Sequence, residues 1–286
     1  MKDVMNKALL FDGKAMITVW SMPRTAEEGA RLHKMTDDAA NVYGRVLAVS
    51  AYMAAGLKSE SDKLTVIVEG DGKLGRIVAC GECGAKVRGY VSNPREVLRA
   101  GEQPSAMVGG EGVISVIKDM GMEQPYRGYG NVVKGDITSD FAGYFLLSEQ
   151  TPTALSLDCA FEGGKCLMCG GAAAVPLPGC GEEYLVVLED IMRNFTDIRS
   201  ALETDTPKEL IERHFGHFSP VYLPEITPAY RCTCSRARTS GMIKAIGRKE
   251  AMSIIDECGR IDVHCEFCGK NYSFNAQDID KLFKEE

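Results

Sequence analysis

Cys232-Thr233-Cys234 and, thirty residues on, Cys265-Glu266-Phe267-Cys268-Gly269 decide how the chain is divided. Side chains one residue apart on an extended segment project to the same face, so Cys232 and Cys234 point the same way. Cysteines two apart with glycine just after suit a tight knuckle that turns both sulfurs inward. Two such pairs supply the four thiolates of a closed tetrahedral zinc site, structural rather than hydrolytic because no position is left for water. Four thiolates around one dication carry a net charge of −2, and they remain oxidisable while they hold it. Cys258 and His264 lie close enough in sequence to compete as ligands, but the two symmetrical pairs form the simpler set.

Residues 231–286 make a small C-terminal module, near the size at which an apolar core alone is marginal. Its inventory includes Met242, Ile243, Ile246, Ile255, Ile261, Val263, Tyr272 and Phe274. A structural zinc contributes on the order of 10–16 kcal/mol to folding such a module. Any oxidant that pairs the thiolates removes the metal, so a switch is physically available.

Upstream, residues 180–230 read as an amphipathic helical linker. Leu185, Leu188, Ile191, Met192, Phe195, Ile198 and Leu202 recur at helical steps. Thr206-Pro207-Lys208-Glu209 offers a cap, a proline at the first helical position and a capping-box acid. Pro220, Pro224 and Pro228 then break the chain. With ten acids and four bases the linker carries −6, against +1 for residues 231–286 and −2 for residues 1–179. An apolar stripe of that size must be covered at rest, or it becomes a binding or aggregation site.

Residues 1–179 predict an α+β core domain in which helices cover a mixed β-sheet. Apolar runs flank Asp12-Gly13, and Thr25 with Glu28 resembles a capping box. A nearly continuous apolar helix starts near Thr36-Asp37 and runs through Val46, Leu47 and Met53. Strand texture follows at 64–68, 76–79, 87–91 and 112–117, and Glu162-Gly163-Gly164 marks a hairpin turn. The glycines at 109, 110, 112, 128 and 130 match neither a P-loop nor a dinucleotide fingerprint and read as loops. His33, His214 and His217 lack a Ser or Cys partner at diagnostic spacing, so no catalytic triad is legible.

The remaining cysteines are Cys80, Cys83, Cys159, Cys166, Cys169, Cys180 and Cys258, and the sequence assigns them no role. Cys80-Gly-Glu-Cys83 lies at a predicted hairpin tip and Cys166-Leu-Met-Cys169 follows another turn. A second metal site or a dithiol couple is the alternative to free thiols on turns, which is the favoured reading because no spacing rule joins pairs so far apart. Eleven cysteines without an export signal argue for the reducing cytoplasm, and no apolar run is long enough for a membrane span. The chain has no basic tract for gripping phosphates, so neither nucleic acid nor membrane is an expected partner.

With these residues in view the chain resembles the redox-regulated holdase chaperones of the HslO type, the heat-shock proteins of 33 kDa, over nearly its full length. The Cys-x-Cys and Cys-x-x-Cys pairs match that family's arrangement, and Val263-His-Cys-Glu-Phe-Cys-Gly-Lys-Asn-Tyr-Ser-Phe274 resembles its zinc knuckle. In the core, Gly75-Arg-Ile-Val-Ala79, Val87-Arg-Gly-Tyr-Val-Ser-Asn-Pro94, Ile117-Lys-Asp-Met-Gly121, Gln124-Pro-Tyr126 and Ser148-Glu-Gln-Thr-Pro152 resemble family landmarks. The seven extra cysteines depart from the pattern.

The resemblance implies an ATP-independent chaperone, not an enzyme. One zinc ion is held in the reduced state by Cys232, Cys234, Cys265 and Cys268, which are also the redox-active thiols. Oxidation would pair Cys232 with Cys234 and Cys265 with Cys268, the latter pair first. Zinc would leave, the module and linker would lose structure, and apolar surface would be freed for unfolding client proteins. The active form would be a homodimer. Two rivals come from the residues themselves. A zinc-ribbon nucleic-acid module would use Arg231, Arg236, Arg238, Arg248 and Lys249 on phosphates; a thiol–disulfide oxidoreductase would use Cys80–Cys83 or Cys166–Cys169.

Overall fold

A computed structural model describes residues 2–284, which form two compact units divided between Arg231 and Cys232. The first opens with a hairpin of β1 (Val4–Leu10) and β2 (Ala15–Ser21), turning through Asp12 and Gly13. Helices α1 (Pro23–His33) and α2 (Asp37–Ala54) follow, then β3 (Lys63–Gly70), β4 (Arg76–Glu82) and β5 (Lys86–Val91). Next come β6 (Gly112–Asp119), β7 (Tyr126–Val132), α3 (Ile137–Leu147), β8 (Ala154–Glu162) and β9 (Lys165–Pro176). Helices α4 (Glu182–Met192), α5 (Ile198–Thr204) and α6 (Pro207–Phe215) lead to the short strands β10 (Val221–Tyr222) and β11 (Ala229–Tyr230).

These strands make two sheets, ordered β10-β1-β2-β9-β8 and β11-β5-β4-β3-β6-β7. The architecture is the expected α+β one. Helix α2 lies between the sheets, against β8 and β9 of one and β4 and β5 of the other. That position explains why its sequence is apolar nearly all round. Val42, Tyr43, Val46, Leu47, Val49 and Ala51 are buried in one cluster with Leu64, Val66, Ile77, Ala79, Val87 and Val116 from the second sheet. Thr36 caps the helix by accepting from Ala39 N at 3.2 Å.

The expected capping box at Thr25 and Glu28 does not form. Helix α1 starts at Pro23, and Thr25 is buried with its backbone N–H and its hydroxyl both donating to Asp3, at 2.8 and 2.7 Å. A carboxylate from just ahead of the first strand therefore caps the helix, leaving Glu28 to pair with Arg31. The glycines read as loops also divide: Gly112 opens β6, and Gly128 and Gly130 lie in β7, where a Cβ at either would crowd Tyr144.

The outer face of the first sheet carries the acidic segment. Leu188, Met192, Phe195, Ile198, Leu202, Leu210, Ile211 and Phe215 are buried there against Ala8, Leu10, Ile17, Val19, Met168, Ala172 and Ala174. The stripe from Leu185 to Leu202 is not one helix: a single 3-10 turn, Arg193–Phe195, separates α4 from α5. Thr206 and Glu209 form the expected capping box of α6.

In the second unit, α7 (Arg236–Ile246) and α8 (Arg248–Cys258) precede a hairpin of β12 (Ile261–His264) and β13 (Asn271–Phe274), and α9 (Ala276–Leu282) follows. Its core is small: Ile243, Ala251, Ile255, Ile261, Phe274 and Ile279.

Candidate metal centre

The second unit gathers Cys232, Cys234, Cys265 and Cys268 so that all four Sγ atoms lie within 4.8 Å of one another. Cys265–Cys268 is the tip of the β12–β13 hairpin. Cys265 N donates to Lys270 O at 2.9 Å, and Gly269 N donates back to Cys265 O at 2.8 Å. Gly269 sits at φ +71°, a left-handed turn that a side chain would disfavour. Cys232 and Cys234 lie on the extended segment ahead of α7. Ser235 caps that helix through Arg238 N, and the Arg238 guanidinium donates to Thr233 O and Oγ1 at 3.1 and 2.6 Å, which holds the loop between the two sulfurs.

The nearest sulfurs are Cys232–Cys265 at 3.7 Å and Cys234–Cys268 at 3.4 Å. Zinc–thiolate bonds of about 2.3 Å place tetrahedral sulfurs about 3.8 Å apart, so the four residues fit a metal ion of that kind. Cys258 is exposed at the end of α8, and His264 Nδ1 is engaged with Asn271 Oδ1 at 2.7 Å. Neither belongs to the cluster.

The four thiols are not equivalent. Burial, with hydrogen bonds among the sulfurs, pushes Cys232 up to about 12, and burial raises Cys268 as well. At Cys234 burial pushes upward too, but hydrogen bonds from Tyr272, Cys268 and Cys232 outweigh it and bring this thiol down to about 7. Tyr272 Oη lies 3.1 Å from Cys234 Sγ, and its own ionisation moves up to about 12 because the hydroxyl is needed as donor. Sequence reasoning counted Tyr272 only among the apolar residues. Tyr272 shares the inward face of β13 with Phe274, two residues on, and that apolar alternation gave no sign of the hydroxyl's contact with Cys234.

The other candidate thiols lie in the first unit. Cys80 lies within β4, 3.8 Å from the Thr65 hydroxyl, and Cys83 donates to Leu57 O at 3.3 Å in the β4–β5 turn. Cys166 and Cys169 belong to β9. Neither pair opens a helix, the setting a thioredoxin-like dithiol uses. Arg236, Arg238 and Arg248 are occupied within the second unit, the first and last in ion pairs with Asp278 and Asp280.

A mixed α+β body together with a module whose four clustered cysteines could hold a metal ion defines the class of protein. Comparison with known proteins gives the class its particulars. A family model described as Hsp33 protein matches residues 3–275. The chain is 33% identical to a "33 kDa chaperonin" of Clostridioides difficile over the whole of both chains. It is 34% identical to the protein of the same name from Bacillus cereus strain G9842, over 99% of each. The crystal structure of a "33 kDa chaperonin (Heat shock protein 33 homolog)" from Thermotoga maritima superposes with a TM-score of 0.88 at 27% identity, covering 100% of this chain and 99% of that one. The chain belongs to the Hsp33 family of redox-regulated chaperones.

Proposed function

We propose that the chain is an ATP-independent holdase, silent while Cys232, Cys234, Cys265 and Cys268 hold one zinc ion and active once those thiols are oxidised. The observation that carries this reading is the set of four sulfurs within 4.8 Å of one another, in a unit whose apolar core is too small to be secure alone. Bound zinc would supply the cross-link that fixes α7, the hairpin and α9 around that core. Oxidation would form the disulfides Cys232–Cys234 and Cys265–Cys268, each pair of thiolates giving two electrons to the oxidant, whose reduction to water takes its protons from solvent, while the zinc ion is released. Paired sulfurs no longer chelate, so the module loses its fold.

In this reading residues 1–179 are the chaperone core, 180–230 the releasable linker and 231–286 the switch. The linker stripe is buried on the first sheet at rest. Its release exposes both Leu185–Phe215 and the sheet face beneath, the apolar surface to which unfolding clients bind. The active form is a homodimer working in the cytoplasm, without nucleic acid or membrane partners. Among the described residues no helix is long and apolar enough to cross a membrane.

The test is to follow zinc content and suppression of aggregation of a denatured client together during peroxide treatment. One zinc per chain, lost in step with a gain of holding, supports the reading. Equal holding by reduced zinc-bound and oxidised protein overturns it.

A further inference from the structure

The first sheet ends on β8, and part of its outer edge is open. Met22 N donates to the Cys169 carbonyl from the β2 side, so the ladder between β8 and β9 runs through Ala154, Ser156 and Asp158. Leu155, Leu157 and Cys159 therefore turn their backbone N–H and C=O groups away from the sheet. Local side chains take several of these outward groups. Thr138 Oγ1 donates to Leu157 O at 3.4 Å, Asp158 Oδ1 accepts from Cys159 N at 2.8 Å, and Asn41 Oδ1 accepts from Phe161 N at 2.7 Å. Among the described residues nothing engages the N–H and C=O of Leu155 or the N–H of Leu157. Folded proteins block exposed edges against stray strands, and here the blocking stops where the edge enters a cleft.

Two cavities of about 550 and 380 Å³ meet there, and Ala154 and Glu189 line both. Helix α3 makes one wall with Thr138, Ala142, Gly143 and Leu146, which share a helix face. Its other face, with Phe141, Tyr144 and Phe145, is in the inner core. Helix α4 makes the second wall with Leu185, Leu188 and Met192, on the side of the outer cluster. Gly143 keeps the first wall low, because a Cβ there would meet nothing within 4 Å. The floor from Pro152 to Leu157 is about 20 Å long when extended. The two helices carry Asp140, Glu182, Glu183, Glu189 and Asp190 and no base. Arg193, at one end of the cleft, is paired with Asp190 at 3.4 Å. The walls are therefore apolar and the rim favours cations.

We propose that this cleft takes an extended apolar segment of a partner polypeptide, flanked by Lys or Arg, by strand addition to β8. The partner residue opposite Leu155 exchanges both main-chain hydrogen bonds with it. Neighbouring side chains point alternately to the α3 and α4 walls, and a flanking cation pairs with Glu189. Because α4 belongs to the segment that activation releases, the site is whole in the reduced, zinc-loaded chain and is dismantled by oxidation. Its redox dependence is thus opposite to that of client holding, and that dependence alone rests on the holdase reading.

The test uses the full reduced, zinc-loaded chain and a labelled heptapeptide, Lys-Val-Leu-Thr-Leu-Val-Lys, with binding followed by anisotropy and backbone amide exchange by NMR. At saturation the Leu155 and Leu157 amides are expected to exchange about tenfold more slowly or less. Gly143→Leu fills the cleft and should weaken binding about tenfold, with zinc content and holding by the oxidised protein unchanged. Glu189→Gln should weaken it about threefold at low salt. Peroxide treatment should abolish the protection at Leu155 and Leu157. The proposal is overturned if saturating peptide leaves both amides exchanging at the parent rate, if Gly143→Leu binds as tightly as the parent, or if protection arises only after oxidation. It is also overturned if the peptide-free chain shows the same protection rising with its own concentration, since a second copy would then be the occupant. Loss of zinc-linked holding would leave the reduced-chain result untouched, so the two readings fail separately.

Discussion

The carboxylate of Asp158 holds the guanidinium of Arg199 at 2.8 Å, and this fastens α5 to β8. From the other side Arg45 of α2 donates to the same carboxylate at 2.6 Å. One half-buried acid therefore ties the central helix, the edge strand and the linker together. Ser156, two residues earlier, adds a hydrogen bond to Phe195 O at 2.5 Å. A linker held this way is docked specifically, not merely collapsed onto apolar surface.

Asp158→Asn should therefore loosen the linker without oxidation. Burial pushes this carboxyl up, but Arg199 and Arg45 outweigh it and hold it below the ordinary range. A lowered folded-state value stabilises above the unfolded value near 3.9 and loses that contribution as pH falls through the folded one. The variant is expected to be about 1.5–3 kcal/mol less stable at pH 7. Denaturant titration should find the gap to the parent closing below about pH 4.

Phe195→Ala removes a fully buried ring from the linker side of the first sheet. The expected cost is about 3–5 kcal/mol. Part of it should appear as undocking, so the reduced zinc-loaded variant should bind an apolar dye that the parent binds only after oxidation.

Cys268→Ser leaves three sulfurs where four fit. Zinc per chain should fall from one towards none. Limited proteolysis should then degrade residues 232–286 early, because about 10–16 kcal/mol of metal contribution is lost to a small core.

Tyr272→Phe deletes the hydrogen bond that helps bring Cys234 down to about 7. In the reduced, metal-free protein that thiol should return towards the ordinary value near 8.5. Alkylation of Cys234 at pH 7 should slow about tenfold, with the midpoint of its pH profile moving up correspondingly.

Legibility in the sequence followed locality. The Cys-x-Cys and Cys-x-x-Cys spacings, the Thr206–Glu209 box and the capped apolar helix after Thr36 are each written within a few residues, and each forms. What was hidden depended on distant partners. Asp3, twenty-two residues from Thr25, supplants the local capping box. The break at Arg193–Phe195 is invisible to a pattern that stays amphipathic across it, because the sheet beneath accepts both α4 and α5. The bulge at Leu167, which decides where Cys166 points, follows from strand register, and no turn residue announces it.

The division of the acidic segment into helices of eleven, seven and nine residues has a physical consequence. Isolated helices shorter than about 12–15 residues barely persist in water. Once lifted from the sheet these three cannot swing away as rigid rods; they melt. Detachment therefore delivers a pliable ribbon rather than a preformed groove, able to mould itself around whatever misshapen polypeptide it meets.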